Sequence, residues 1–278
     1  MLLGTIAALN VYPVKSCRGL ASARADVTWN GLAIDRVRDR EWMVVDRRGR
    51  FLTQRELPQL ALVGTQASDG QLTLQIPKSE PIAPEQQGPV RDVLVWSASV
   101  RGRDGGDAAA GALSAYLGHD VRLVRFDDSH PRPVNPDYAR GSGATTLYAD
   151  GYPLLVVGQA SLDDLNQRLA ARGLAQVPMN RFRPNIVVEG LDPYDEDHVD
   201  TMTIGDVVLK LVKACTRCEV TTTDQTTARR SQEPLRTLST YRRDDRLAGV
   251  TFGMNAIVAQ GAGRAIAVGD AVRAELSF

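Results

Sequence analysis

The chain is short of the residues from which most disulfide and metal sites are built. Its 278 residues include only three cysteines and three histidines. So few cysteines, and an odd number, do not make a disulfide scaffold. They fit a reducing compartment, and the cytoplasm is the expected location. His119, His130 and His198 stand in no metal-binding spacing. No apolar run approaches the roughly 20 residues of a membrane-spanning helix, so no membrane association is expected. The apolar start, Met1 to Leu9, lacks a basic leader and a small-residue cleavage site, and reads as a first β-strand rather than a signal peptide. Nor does one sign of charge prevail, with 33 basic residues against 33 acidic. This excludes a general nucleic-acid or membrane-surface binder, which needs a broad basic field, but leaves room for a local basic pocket. Phosphate-loop and dinucleotide fingerprints are missing, and no hydrolase constellation stands out.

What is present suits a β-rich protein. Apolar residues make up 43% of the chain, ample for a core, and the length suggests about two domains or one large β-rich domain. Strands are expected from Met1 to the stretch 11–14, at 42–45 with 51–53 as a hairpin, at 60–63 with 72–76 as a second hairpin, and at 93–96 and 121–126. A helix is expected at 107–117, with Asp107 as N-cap and Gly118 as stop. Residues 127–142 hold Pro131, Pro133 and Pro136 and read as an inter-domain linker or a long surface loop. Beyond it come a strand at 154–157 and a helix opened by a capping box at Ser161–Asp164 and closed by Gly173. A strand at 186–189, an acidic loop at 193–201, a strand at 207–212 and closing strands at 250–259 and 265–276 complete the reading.

The stretch around Cys215-Thr216-Arg217-Cys218 is central. The β-branched run 220–223 reads as a strand. The cysteine pair is therefore expected on a short connection between two strands, with Lys213 and Arg217 favouring the ligating or nucleophilic thiolate. Three readings are open. Structural zinc is short of ligands. A thioredoxin-like pair wants a helix start. A lone thiolate on a soft or redox-active metal is the third. Cationic loops at Lys15, Arg40, Arg183 and Arg217 suit a phosphate-bearing cofactor, because guanidinium groups grip phosphate bidentately. Arg36, Arg38 and Arg40 alternate, which in an extended segment puts them on one face. A salt-bridged surface edge is the plainer alternative there.

Several segments occur together in one order: Val11-Tyr12-Pro13-Val14-Lys15-Ser16-Cys17, Arg38-Asp39-Arg40 with Trp42, Phe182-Arg183-Pro184-Asn185-Ile186, Ile204-Gly205-Asp206, Cys215 to Cys218, and Thr251-Phe252-Gly253. In this the chain resembles the molybdenum-cofactor-sulfurase C-terminal (MOSC) family over essentially its whole length, with the amidoxime-reducing components and their bacterial relatives as the nearest subgroup. The resemblance implies a β-rich α+β fold with few helices. It places an N-terminal β-barrel-like domain at 1–126 and a MOSC β-barrel domain at 127–278.

The resemblance also implies a molybdenum–molybdopterin cofactor, with Cys218 as the catalytic thiolate ligand to the metal and Cys215 structural or incidental. Lys15, Ser16 and Arg40 match cofactor-holding residues of the first domain. Arg183, Thr216 and Arg217 match those of the second, and Gly151, Tyr152 and Asn255 match further contact positions. The implied activity is reduction of N-hydroxylated compounds: hydroxylamines, amidoximes and N-hydroxylated bases. Its use would be detoxification. The chain ends at Phe278 without the ferredoxin-like extension of some relatives and without the membrane anchor of others, so electrons are expected from a separate ferredoxin- or cytochrome-type donor with its reductase. Val199 stands where many relatives have tryptophan. The rival functions are a sulfur carrier with a persulfide on Cys218, a cofactor carrier without turnover, and a structural zinc module.

Overall fold

Alternating apolar residues along seven strands build a closed barrel. In the computed structural model, which describes residues 1–277, the strands follow each other around the wall as Leu154–Gly158, Ile186–Glu189, Leu2–Val11, Ala271–Leu276, Val199–Ile204, Val207–Thr216 and Gly249–Gln260, and the last pairs back to the first. Only Leu154–Gly158 and Ile186–Glu189 run parallel. The helix Gln159–Ala171 makes that crossover, as a parallel connection requires. Every second residue points inward: Ile6, Val156, Ile186, Leu209, Leu211, Ala256 and Val272 meet in one buried cluster.

The N-terminal half adds a four-stranded sheet, in the order Trp42–Asp46, Val121–Phe126, Ala98–Asp104 and Val90–Val95. The helix Asp107–Leu117 lays Ala109, Leu113 and Leu117 against Leu57, Leu60, Leu72 and Leu123. A second small sheet joins Arg24–Thr28 to Ala265–Ala267, strands from opposite ends of the sequence. The expected β-rich α+β fold is present. Among the described residues no helix is long and apolar enough to cross a membrane.

Several local expectations give way to tertiary context. Residues Pro58–Leu62 form a 3-10 turn, so the second hairpin pairs Gly64–Ser68 with Gln71–Gln75 instead. Gly106, not Asp107, caps the first helix, and Asp104 accepts from its backbone N–H at 2.9 Å. Ser161 is no cap either. The helix begins at Gln159, and the buried Ser161 hydroxyl donates to Glu196 at 2.8 Å while accepting from the Tyr194 amide at 2.8 Å. Part of the acidic loop is the barrel strand Val199–Ile204. Arg36, Arg38 and Arg40 do not share a face, because Asp35, Arg36 and Arg40 have positive φ and break the extended run. Arg38 pairs with Glu41 and Asp128. Arg40 is also ion-paired, with Asp39, but in the cleft rather than along a surface edge.

The largest correction concerns the cysteines. The strand Val207–Thr216 runs on through Cys215, and most of the β-branched run 220–223 winds into the 3-10 turn Glu219–Thr222, whose first flanking residue is Cys218. The hydroxyls of Thr221 and Thr222 donate back to the carbonyls of Cys218 and Glu219, at 2.9 and 2.7 Å. Threonines that bond their own backbone in this way favour a turn over a ladder.

Candidate active site

One cleft opens where the N-terminal loops meet the end of the barrel. Lys15, Ser16, Arg40, Gly151, Tyr152, Arg183, Thr216, Arg217, Cys218 and Asn255 all line it. The ten residues singled out in the sequence are therefore brought together. Thr53, Arg55, Asp150, Asn185 and Cys215 line it too. None of the three histidines does.

The loops that present these groups are held in costly conformations. Ser16, Arg40 and Arg183 have φ of 68°, 48° and 57°. A non-glycine residue in this region costs on the order of 1–3 kcal/mol, and such residues cluster at functional sites. Long-range backbone bonds fix them: the Lys15 amide donates to Trp42, and the Arg40 amide to Tyr12, each at 2.8 Å. Below them Asp39 organises the floor. Its carboxylate accepts from the Tyr12 amide at 2.8 Å, the Asn185 side chain at 2.9 Å and Arg40 Nη1 at 2.5 Å.

Two guanidinium groups lie over the one ring of Tyr12, Arg40 at 4.5 Å and Arg183 at 4.2 Å. Arg183 Nη1 donates to the Cys17 carbonyl at 2.6 Å, while its Nη2 is buried with no partner. Burial, and then the Arg40 charge, pull the Arg183 pKa down to about 10. On the facing wall Lys15 donates to the Tyr148 carbonyl at 2.9 Å and pairs with Asp150 at 2.5 Å. Burial lowers the Lys15 pKa despite that pairing. Desolvation raises the Asp150 carboxyl, but Lys15, Arg55 and Trp96 more than offset it and hold it well below the usual range. Arg132, from the proline-rich loop, clamps this wall by donating to the carbonyls of Leu147 and Asp150, at 3.0 and 2.8 Å.

Of the two cations expected beside the cysteine pair, Arg217 is there and Lys213 is not. Arg217 donates to Cys215 Sγ at 2.9 Å and to the Phe182 carbonyl at 2.7 Å. Lys213 turns away, over the Tyr138 ring at 4.6 Å. The partner of Cys218 is Arg55, whose Nη2 donates to Sγ at 3.2 Å. Burial disfavours the Arg55 charge, but the Cys218 sulfur outweighs it and raises its pKa. Sequence reasoning missed Arg55 because it is brought in from 163 residues away. A buried amide pair ties the two segments. Gln54 and Gln225 bond each other at 3.0 and 2.9 Å, and Gln54 also holds the Ser16 carbonyl at 2.7 Å. Neither glutamine carries a local signal. Of the remaining site residues, Gly151 has open space where a Cβ would stand. The Tyr152 ring meets Tyr138 edge-on at 6.1 Å, and Asn255 donates to the Lys213 carbonyl at 3.2 Å.

Cys17 is different in kind. It is fully buried behind Arg183, and burial pushes its thiol up to about 12. A pKa raised on folding adds stability below the unfolded value, about 8.5, that is lost as pH climbs toward the folded value. We expect urea stability to fall between pH 8 and pH 10.5, with about 2 kcal/mol of that loss absent from Cys17→Ala. An equal pH slope in the two proteins would contradict this.

The cleft's donor set fits an anionic group. Arg183 Nη2 and Arg217 Nε are buried without partners, beside Lys15, Arg40 and Arg55. Orphaned buried donors of this kind call for an acceptor. Among the described residues no three His, Cys, Asp or Glu side chains gather to hold a metal on their own. A metal here would have to arrive with most of its ligands.

Residues 3–120 match the family described as MOSC N-terminal beta barrel domain, and residues 144–273 match the MOSC domain. The chain belongs to the MOSC family. Its relatives include mitochondrial amidoxime-reducing component 1 of Mus musculus, 39% identical over 267 residues, spanning 93% of this chain and 77% of the relative. The Homo sapiens protein of that name is 38% identical, over 93% of this chain and 78% of its own. Mitochondrial amidoxime reducing component 2 of Rattus norvegicus is 37% identical, over 86% and 73%. The MOSC barrel thus supplies the cysteine wall of the cleft, and the N-terminal domain supplies Lys15, Arg40 and Arg55.

Proposed function

We propose that this MOSC protein is an oxidoreductase that binds a molybdenum–pterin cofactor in the cleft and reduces N-hydroxylated compounds with electrons from a separate donor protein. The observation that carries the reading is the cleft itself. It combines an accessible cysteine sulfur with five cationic side chains, two of which keep a buried donor free. The names of its relatives supply the reaction class.

When bound, the cofactor supplies a metal whose two-electron change matches removal of one oxygen. The chain's own groups do the rest. Arg183, Arg40 and Lys15 would hold the cofactor's anionic groups together with Arg217 and Thr216, and Cys218 would offer its sulfur to the metal. Arg55 holds that sulfur in place through the hydrogen bond it donates. Tyr12 and Asp39 keep the arginines from collapsing onto other acceptors before the cofactor arrives, the preorganisation that makes an electrostatic site effective.

The test is metal analysis by elemental mass spectrometry of protein made in a host that synthesises the cofactor. It is paired with an assay of benzamidoxime conversion to benzamidine by a chemical reductant. Stoichiometric molybdenum with benzamidine formed is the expected result. Zinc, or no metal under full cofactor supply, overturns it. A gain of one sulfur on Cys218 without molybdenum would instead establish a persulfide carrier. Molybdenum without product under any donor would establish a cofactor carrier.

A further inference from the structure

Trp96 is not among the residues that line the cleft, but it lies against two that are, Arg55 and Asp150. It sits in the tight turn between the strands Val90–Val95 and Ala98–Asp104, and half of its surface (50%) is open to solvent. Its φ is +57°. Hairpin turns that need positive φ are made by Asn, Asp or Gly, and a bulky residue there is a true outlier. The sequence thus keeps a large aromatic where a small turn residue would fold at lower cost.

The indole is also aimed. Its Nε1 donates to Asp150 Oδ1 at 3.2 Å, and the Phe51 ring braces its edge at 5.0 Å. Arg55 lies over the ring at 4.8 Å, and this is the guanidinium that donates to Cys218 Sγ at 3.2 Å. The indole is therefore one side chain removed from the reactive sulfur, fixed in orientation by a carboxylate and a phenyl ring. An exposed, oriented aromatic surface beside a reaction centre suits stacking on a flat ring.

Resting on the reading of the cleft as a reductase site, we propose that Trp96 is a specificity-determining residue that stacks the ring of aromatic N-hydroxylated substrates and favours them over small aliphatic ones. Asp150 and Phe51 act through it, as positioning residues. The stack contributes to holding the substrate, not to the chemical step, so it appears in KM rather than in kcat.

The experiment uses the cofactor-loaded protein and the variants W96A and W96F, with benzamidoxime and acetamidoxime as an aromatic and an aliphatic pair. Binding is measured by calorimetry without reductant, and turnover separately with it. W96A is expected to weaken benzamidoxime binding and raise its KM by about tenfold, with kcat and acetamidoxime binding unchanged. W96F, which keeps a ring, is expected to restore most of the loss. Unchanged benzamidoxime binding in W96A overturns the proposal. So does an equal loss for both ligands, or a loss of molybdenum, since either would mark Trp96 as a support for Arg55. Wild-type protein that binds benzamidoxime through Trp96 yet reduces nothing would overturn the reductase reading and leave the binding site standing.

Discussion

Cys218→Ser is expected to abolish N-reductive turnover, by more than about a hundredfold, while leaving the fold intact. Removing only the groups that support a metal ligand typically costs 10–100-fold, and on the proposed reading Cys218→Ser removes the ligand itself. Serine's hydroxyl is far less acidic and harder than a thiolate, so it is a poor partner for a soft metal. The fold should tolerate the change because Cys218 is partly exposed and packs into no core cluster. Elemental analysis, turnover and the urea midpoint are read side by side. Molybdenum content should fall with turnover, and the midpoint should move by less than about 1 kcal/mol. Cys215→Ser is the control, since Cys215 meets Arg217 rather than Arg55. If it behaves the same as Cys218→Ser, the choice of Cys218 as ligand is wrong.

Arg183→Ala should have the next largest effect, and Arg183→Lys should not rescue it. The guanidinium stacks on Tyr12, donates to the Cys17 carbonyl and keeps Nη2 free. A lysine ammonium has no planar fork and cannot serve those three directions at once. Both variants are expected to retain less than about a tenth of the wild-type cofactor after gel filtration, a loss of the size expected for one charge-assisted contact. The apo-protein's thermal midpoint separates binding from folding. Alanine leaves the Cys17 carbonyl unpaired, at about 1–3 kcal/mol, but also removes a buried cation beside Arg40. The two largely offset each other, so apo stability should change little. Full cofactor retention in Arg183→Lys would show that charge alone is read there.

The long strands and the two long helices could be read from the sequence because their periodicity is local. The alternation of 207–212 and the Ala109, Leu113, Leu117 spacing each survive in the fold. The failures share a cause. Ser161 and the run 219–222 have side chains that can bond backbone or a distant partner, and tertiary contacts chose between those options. The strand Ala98–Asp104 escaped notice because its arginines and glycine conceal the period. The site divides the same way. The ten lining residues were found through motifs in a fixed order, without any knowledge of their contacts. Arg55, Trp96, Gln54 and Gln225 acquire meaning only from contacts across the fold, for which a single sequence offers no sign.

The barrel has a consequence for how the protein is made. Its first strand, Leu2–Val11, pairs with Ile186–Glu189 on one side and Ala271–Leu276 on the other. Leu2–Val11 therefore cannot complete its pairing until the chain has been made through Leu276. Contacts this distant in sequence form slowly and leave apolar edges open meanwhile. Ile6 and Leu9 are buried in the finished barrel against residues of those later strands, such as Val188 and Val272. Until residue 271 has been made, one edge of that strand has no partner, and an unpaired apolar strand edge is a site for aggregation.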